Sequence, residues 1–236
     1  MVSAKRRRRW RWVRWLLVFG LAVVSLLALY VVFSWPDVAA LAESQPETTA
    51  FIERARSRGV EVQWRWVPYH RISPELKKTV LVAEDFSFFS HNGFDTHEIK
   101  IAAREAVKGK RVRGASTITQ QLAKNLWLSP SRSPLRKIKE LILTRQLEHS
   151  LSKRRILELY LNVIQFGSDI YGAEAAARHY FGITAADLDR EQAAQLAASL
   201  PRPSTWHPGV SSRGYRKSVD RILIRMEKAD WLDRLL

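Results

Sequence analysis

A run of 21 residues, Trp15 to Trp35, contains no charged side chain. A helix of that length rises about 30 Å, the thickness of the hydrocarbon core of a bilayer. Seven arginines and lysines and no acid precede the run within residues 1–14, and tryptophans lie at both of its ends. Basic residues favour the cytoplasmic side of a membrane, and tryptophan favours the interface. The sequence therefore predicts a cytoplasmic basic segment at 1–14, an uncleaved transmembrane signal anchor at 15–35 and an exported remainder.

Two other interpretations of this N-terminal region fit less well. A cleaved signal peptide normally has an apolar core of about 7–15 residues that ends at small residues, whereas this run is longer and ends in Trp35 and Pro36. A basic tail that binds nucleic acid would not be expected to adjoin a long apolar run. We therefore expect contact with membrane lipid and none with nucleic acid.

Composition excludes further classes of protein. At 46% hydrophobic residues, this chain of 236 residues is too apolar for a disordered basic protein, although its net charge is +16. The chain contains no cysteine. A disulfide framework, a thiolate metal site and a cysteine nucleophile are therefore excluded.

The exported part divides into a stalk with a connecting helix, residues 36–59, and one domain, residues 60–236. Apolar and polar residues alternate over residues 60–66, which is the only convincing strand signal. A serine and a proline open a helix over residues 73–84, and beyond it apolar residues recur every three or four positions. These patterns predict a mainly α-helical domain. The basic segment 108–113 is interpreted as an exposed loop that is either solvated or in contact with anionic lipid.

The first polar constellation spans residues 84–95. Glu84 and Asp85 end an apolar helix and are followed by phenylalanines, His91 and Gly93. Aromatic surroundings desolvate a carboxylate and raise its basicity, as general base catalysis requires. The alternative is a solvated helix end with a hydrogen-bonded structural histidine. Composition alone favours that alternative.

The second constellation spans residues 114–125. Thr117 and Gln120 form a plausible capping box. Thr117, Gln121 and Lys124 also share one face of the predicted helix because they are spaced by four and three residues. A polar face with a lysine near a helix N-terminus suits a phosphate or diphosphate. No Walker loop is present, so a nucleoside triphosphatase is not supported.

The third constellation consists of Arg132 and the sequence Arg136-Lys137-Ile138-Lys139-Glu140. The pair Arg136 and Glu140 is either an ordinary ion pair on a helix surface or part of a cationic cleft for a diphosphate leaving group. Residues 152–167 then predict a capped, buried helix that ends at a glycine, with its leucine, tyrosine and isoleucine positions in the core.

These constellations resemble the motifs of the monofunctional biosynthetic peptidoglycan transglycosylases of glycosyltransferase family 51. The resemblance covers roughly residues 60–230 in the family's order. The matching elements are E-D-x-x-F-x-x-H-x-G-x-D at Glu84 to Asp95, G-[AG]-S-T-I-[ST]-Q-Q-x-x-K-N at Gly114 to Asn125, R-K-x-x-E at Arg136 to Glu140, and S-K-x-x-I-L-x-x-Y-L-N at Ser152 to Asn162. The chain ends at Leu236, with no room for the transpeptidase domain of bifunctional relatives.

The resemblance implies polymerisation of lipid II into β-1,4 glycan strands, with inversion at the anomeric carbon and release of undecaprenyl diphosphate. In it, Glu84 matches the general base, and Glu140 matches a second required carboxylate that assists at the diphosphate. Lys124 and Arg132 match the cations that stabilise the leaving group. The residues that match the lining of the cleft are Asp85, Phe88, His91, Thr117, Gln121 and Arg136.

The resemblance further implies a lysozyme-like, two-lobed helical domain that follows one transmembrane helix. That domain is expected outside the cytoplasm, on the periplasmic face of the inner membrane. Expected partners are lipid II, the growing glycan strand, membrane lipid and other proteins of cell wall synthesis. No cofactor is obligatory, and a divalent cation (Mg²⁺ or Mn²⁺) bound at Glu140 is left open. The rival functions are a lytic enzyme that cleaves the same glycan and a non-catalytic membrane scaffold.

Overall fold

A computed structural model describes residues 35–107, 116–131 and 133–236, together with residues 10, 12, 14–23, 25, 26 and 29. The basic segment 108–113 and Arg132 lie outside the described residues, as do Gly114 and Ala115. The chain divides into two units, Met1–Asp37 and Val38–Leu236.

In the first unit, residues 14–23 are helical. The predicted anchor at 15–35 includes residues 24, 27, 28 and 30–34, which are outside the described part of the chain. None of the helices that the structure describes combines the length and the apolar character needed to cross a membrane.

The second unit is mainly helical, which confirms that prediction. Short 3-10 turns add to its helices at Ala39–Ala42, Tyr69–Arg71, Phe88–Ser90 and Asp230–Arg234. Its α-helices, as far as the chain is described, are α1 (Ala50–Arg56), α2 (Pro74–Glu84), α3 (Thr96–Val107), α4 (Ile118–Trp127), α5 (Pro134–Ser150), α6 (Lys153–Val163), α7 (Ala173–Phe181), α8 (Arg190–Ser199) and α9 (Arg213–Met226).

Local sequence explains where most of these helices begin. Ser73 accepts a hydrogen bond from the N–H of Glu75 at the start of α2, and Pro74 occupies the first helical position. Thr117 and Gln120 form the predicted capping box at the start of α4. The helix predicted over residues 152–167 begins at its serine cap but ends at Val163, four residues before the glycine.

The strand predicted over residues 60–66 is present in a shorter form. β1 (Gln63–Trp64) pairs in parallel with β2 (Ile170–Tyr171). Val60, Val62 and Trp64 instead pack on a small cluster around Ile52, which accounts for the alternating pattern. The indole of Trp64 donates a 2.7 Å hydrogen bond to the carbonyl of Asn162, which joins this segment to α6.

The segment that precedes α1 packs on the domain. Val38 and Leu41 are buried. The guanidinium of Arg155 donates hydrogen bonds of 2.8 Å to the carbonyl of Leu41 and 2.6 Å to that of Ser44. The compact unit therefore includes residues 38–59, the part interpreted from the sequence as stalk and connecting helix.

Two groups of helices form the core. α2 packs against α8 and α9, while α4 packs against α5 and α6. The C-terminal end of α2 meets the N-terminal end of α4, so the residues of the first two constellations come together at this junction.

Candidate active site

Asp85 connects the two groups of helices. It follows the last residue of α2, and its carboxylate accepts a 2.9 Å hydrogen bond from the backbone N–H of Ile118, the first residue of α4. A carboxylate at a helix N-terminus is stabilised by the unpaired N–H groups there. Asp85 is only 6% exposed, so its carboxylate needs hydrogen-bond donors from the protein. Of the two adjacent acids at the end of α2, Asp85 therefore joins the helices.

His91 is the second partner of Asp85. Its Nε2 lies 2.9 and 3.1 Å from the two carboxylate oxygens, while its Nδ1 accepts a hydrogen bond of 3.1 Å from the N–H of Gly93. Because Nδ1 accepts, the proton of the neutral ring is on Nε2, which donates to Asp85. His91 therefore connects Asp85 to the backbone of Gly93 and holds the loop after α2 in place.

Thr117 fixes the other side of the same loop. Its hydroxyl donates a 2.7 Å hydrogen bond to the carbonyl of Gly93 and also accepts from the N–H of Gln120. Gly93 has φ +89°, and a Cβ on it would lie 2.8 Å from Cγ2 of Thr144. The glycine of the first motif is therefore required by backbone conformation and by the close approach of α5.

Glu84 lies at the junction, half-buried, with one amide directed at its carboxylate. Gln121 Nε2 donates a 2.7 Å hydrogen bond to Oε2 of Glu84. Burial raises the pKa of Glu84, and the nearby charge of Asp85 raises it further. The Gln121 hydrogen bond and the charge of Lys124 act in the opposite direction, but the net pKa lies above that of an ordinary glutamate. Such a carboxylate suits proton abstraction near neutral pH.

Tyr160 is a member of this site that sequence reasoning placed only in the core. It is fully buried, as expected, but its hydroxyl donates a 2.9 Å hydrogen bond to Oε1 of Gln121. Burial, together with the charges of Glu84 and Asp85, raises the pKa of Tyr160 well above its usual value, so the hydroxyl stays protonated. The tyrosine within the Ser152 to Asn162 element was the available signal. Because Tyr160 lies among leucines on α6, the pattern predicted only a core position.

Lys124 lies one helical turn beyond Gln121 on α4. Burial lowers its pKa, as do Arg136 and Lys137, while Glu140 and Glu84 raise it. Its ammonium has no carboxylate within ion-pair distance among the described residues, and it lies 5.8 Å from the ring centre of Phe51. A half-buried ammonium between two acidic residues can therefore accept a further anion.

Glu140 is buried, with 3% of its surface exposed. Both of its carboxylate oxygens are paired, one with Arg136 and the other with Lys137, so the predicted pair of Arg136 and Glu140 is present. Nε of Arg136 is buried and has no hydrogen-bond partner within the described part of the chain. The α5 N-terminus thus holds two cations around one buried acid, with one guanidinium donor unused.

A cleft of about 920 Å³ opens beside Glu84. Asp85, His91 and Thr117, which sequence analysis selected, also line it. Phe88 is fully buried beneath the loop, where it packs against His91 and beneath the ammonium of Lys153. From α4, Gln121 donates a hydrogen bond to Glu84, and Lys124 acts on Glu84 through its charge. The charges of Arg136 and Glu140 act on Lys124 in turn.

The residues near Glu140 do not fit a metal site made by the protein alone. Both oxygens of Glu140 are occupied by cationic side chains. No group of three or more histidine, aspartate or glutamate side chains among the described residues could hold a metal ion.

The chain is similar to known proteins over most of its length. The profile of a family described as Transglycosylase matches residues 50–227. A protein of Thiobacillus denitrificans named biosynthetic peptidoglycan transglycosylase is 46% identical over 221 residues, covering 90% of this chain and 94% of the relative. A protein of the same name from Nitrosospira multiformis is 41% identical, covering 92% of this chain and 97% of the relative. Another from Alcanivorax borkumensis is 53% identical, covering 72% of this chain and 69% of the relative.

Proposed function

The chain belongs to the transglycosylase family, and on that premise we propose that it polymerises lipid II into glycan strands of peptidoglycan. It is a peptidoglycan glycosyltransferase. The observation that carries the mechanism is the half-buried Glu84 of raised pKa, held by Gln121 at the edge of a large cleft.

In the proposed reaction, Glu84 takes the proton from the 4-hydroxyl of the acceptor sugar. That oxygen attacks the anomeric carbon of the growing chain, and the bond from this carbon to the diphosphate breaks. Attack from the face opposite the leaving group inverts the carbon from α to β. General base catalysis of this kind contributes about 10²–10⁴ in rate. The raised pKa matters because a stronger base takes the proton more readily, provided that it is still ionised at the working pH.

The departing diphosphate gains negative charge, and we propose that the cations beyond Glu84 stabilise it. Lys124 and the unused guanidinium donor of Arg136 supply fixed positive charge on that side of Glu84. The resemblance adds Arg132, which lies outside the described residues. Glu140 positions Arg136 and Lys137 through its two ion pairs. No cofactor is needed for these steps, and a divalent cation carried by the diphosphate itself stays an open alternative.

We further propose that the chain is held in the cytoplasmic (inner) membrane by a single span at residues 15–35, with the catalytic domain on the periplasmic side. The uncharged run and its basic flank support the span. A membrane-bound lipid substrate also requires an enzyme close to the bilayer. On α5, the helix of Glu140, the apolar residues Leu135, Ile138 and Ile142 share one face and are 73%, 52% and 45% exposed. Such a face next to the diphosphate-binding cations suits contact with lipid.

The two groups of helices on either side of Glu84 support the lysozyme-like, two-lobed arrangement that the resemblance implies. The proposed partners are lipid II, the growing strand, membrane lipid and other cell wall synthesis proteins. The rival lytic enzyme would release a sugar, which carries no diphosphate. It would therefore have no use for the cations at Lys124 and Arg136.

The test is incubation of the detergent-solubilised full chain with labelled lipid II, beside Glu84→Gln. The amide is nearly isosteric but cannot take the proton, so we expect muramidase-digestible polymer from the wild type and none from the variant. Glu191→Gln, which removes an exposed carboxylate from α8, serves as the matched control and should polymerise normally. Release of fragments from preformed glycan without polymer would favour the lytic alternative.

A further inference from the structure

One wall of the cleft beside Glu84 carries side chains that the proposed mechanism does not use. Phe86, two residues after Glu84, lines the cleft and is 40% exposed. Arg221 and Arg225 line the same cleft from α9. They are four residues apart, so they share one face of that helix. Arg221 forms no ion pair with any carboxylate that the structure describes.

Trp231 supports Phe86 from outside the cleft. The two rings meet edge to face, with centroids 5.4 Å apart and planes at 81°. Both are large and substantially exposed, with Trp231 at 42%. Aromatic pairs of this geometry are favourable beyond the area that they bury. The pair therefore presents a fixed apolar surface to solvent close to Glu84.

Two ion pairs of the buried Lys78 place Trp231 there. The ammonium of Lys78, a residue of α2 with little exposed surface, donates hydrogen bonds of 2.9 Å to Asp230 and 3.0 Å to Asp233. These aspartates flank Trp231 in the C-terminal 3-10 turn. Burial lowers the pKa of Lys78, but its hydrogen bonds to both aspartates outweigh burial and raise it. The C-terminal turn is thus fixed to the helix that ends at Glu84.

The part of the cleft lining at the start of α3 carries the acids Asp95 and Glu98. Asp95 accepts hydrogen bonds from the Ser87 hydroxyl and from the N–H groups of His97 and Glu98 at the start of α3. Burial raises the pKa of Asp95, but these donors outweigh burial and keep the pKa below its ordinary value. A ligand with a free carboxylate would therefore be repelled from the α3 wall and attracted to the arginines of α9.

We propose that Phe86, Arg221 and Arg225 form a binding subsite for the disaccharide–peptide unit of the substrate, with Trp231 as a positioning residue for Phe86. A sugar ring packs on the apolar surface of Phe86, and the terminal carboxylate of the peptide stem pairs with the arginines. This inference rests on the proposed function. Phe86 occupies an unspecified position of the first motif, between Asp85 and Phe88. Arg221 and Arg225 lie outside all three constellations, and Trp231 lies beyond the part of the chain that the family profile matches.

The direct test measures binding of soluble disaccharide-pentapeptide, which carries neither lipid nor diphosphate, to the full chain by titration calorimetry. We expect the double variant R221A/R225A to weaken binding about tenfold or more, because hydrogen bonds to charged groups are among the stronger ones. Arg216→Ala removes an exposed arginine from another face of α9 and should bind as the wild type does. A probe whose peptide carboxylate is amidated should bind weakly to the wild type and equally weakly to the double variant.

Phe86 and Trp231 are tested by the same titration. Phe86→Ala and Trp231→Ala should each weaken binding, while Trp231→Phe should restore it, since a ring suffices to support Phe86. Equal binding by the wild type, the double variant and Phe86→Ala would overturn the subsite. So would equal binding of the amidated and unmodified probes.

A polymerisation assay separates failure of this inference from failure of the proposed function. The variants of the subsite should raise KM for lipid II about tenfold or more with little change in kcat, because they hold the substrate without touching the reacting atoms. Absence of polymer from the wild type would overturn the proposed function, and the titration would still decide the subsite. Unchanged KM in every variant, with normal polymer from the wild type, would overturn the subsite alone.

Discussion

The hydroxyl of Tyr160 determines which way the amide of Gln121 points. By donating 2.9 Å to Oε1 of Gln121, it requires the amide nitrogen to face Glu84, where it donates 2.7 Å to the carboxylate. The wrong orientation would place two acceptors opposite each other. A buried residue on α6 therefore controls the proposed base on α2 through one intermediate side chain on α4.

Tyr160→Phe should consequently reduce activity without contact between Tyr160 and substrate. Loss of one neutral hydrogen bond corresponds to about 1 kcal/mol, so we expect kcat/KM for lipid II to fall roughly five- to tenfold and stability to fall by a similar energy. Steady-state polymerisation and denaturant unfolding measure the two effects. The matched control is Tyr171→Phe, since Tyr171 lies in β2, outside the cleft lining. An equal loss of activity in that variant would contradict an effect of Tyr160 on Glu84 through Gln121.

The pH profile of Gln121→Ala should move in a defined direction. The proposed base works only when ionised, so activity falls as pH drops through the pKa of Glu84. The Gln121 hydrogen bond favours the ionised form and lowers that pKa against the effect of burial. Its removal therefore raises the pKa, and the acidic limb of kcat/KM against pH should shift to higher pH. If the acidic limb does not move, Gln121 does not affect the pKa of the group that limits activity.

Glu84→Gln should be more stable than the wild type near neutral pH. Because the pKa of Glu84 is higher in the folded protein than in the unfolded chain, ionisation costs the folded state free energy above the folded pKa. That cost disappears below the unfolded pKa of about 4.3. Urea unfolding at a series of pH values should show a gain in stability for the variant at pH 7 that vanishes at low pH. A gain that is independent of pH would point to packing instead.

Lys124→Ala should abolish most of the polymerisation. Removing a group that stabilises developing charge costs about 10²–10³ in kcat, and Lys124 is a lysine whose charge acts on Glu84. Single-turnover kinetics with saturating lipid II would measure the loss. Lys217→Ala, an exposed lysine of α9, should retain wild-type turnover. A Lys124→Ala enzyme within threefold of the wild type would remove Lys124 from the reaction.

Gly93→Ala should destabilise the domain more than Gly59→Ala. Both glycines have positive φ, at +89° and +76°, but nothing lies within 4 Å of a Cβ at Gly59, whereas one at Gly93 would lie 2.8 Å from Thr144 and 3.0 Å from Glu148. We expect a loss of about 1 kcal/mol at Gly59 from conformation alone and about 2–4 kcal/mol at Gly93, where overpacking adds to it. Thermal unfolding compares the two. Equal losses of stability in the two variants would mean that Thr144 and Glu148 of α5 move aside at little cost.

Sequence reasoning succeeded where the signal was local. The caps Ser73 and Thr117 bond to backbone N–H groups only two or three residues away, and α2 and α4 begin where these caps predict. The contacts that build the site are distant in sequence. Asp85 bonds to Ile118 and Tyr160 to Gln121 across 33 and 39 residues, and periodicity places such residues on a face without naming the partner. From the sequence, Tyr160 is therefore predicted only as a core residue. The packing of Val38 and Leu41 on the domain could not be predicted.

We expect the Asp85 carboxylate that joins the end of α2 to the start of α4 to act as a pivot for any motion between the two helix groups. Any rotation of the helix group around α2 relative to that around α4 must turn about this hydrogen bond or break it. Atoms near a pivot are displaced least, so the neighbouring pair Glu84 and Gln121 keeps its geometry while the far rims of the cleft swing through larger arcs. We therefore expect any widening of the cleft that admits or releases a long polymer to leave the proposed proton acceptor aligned.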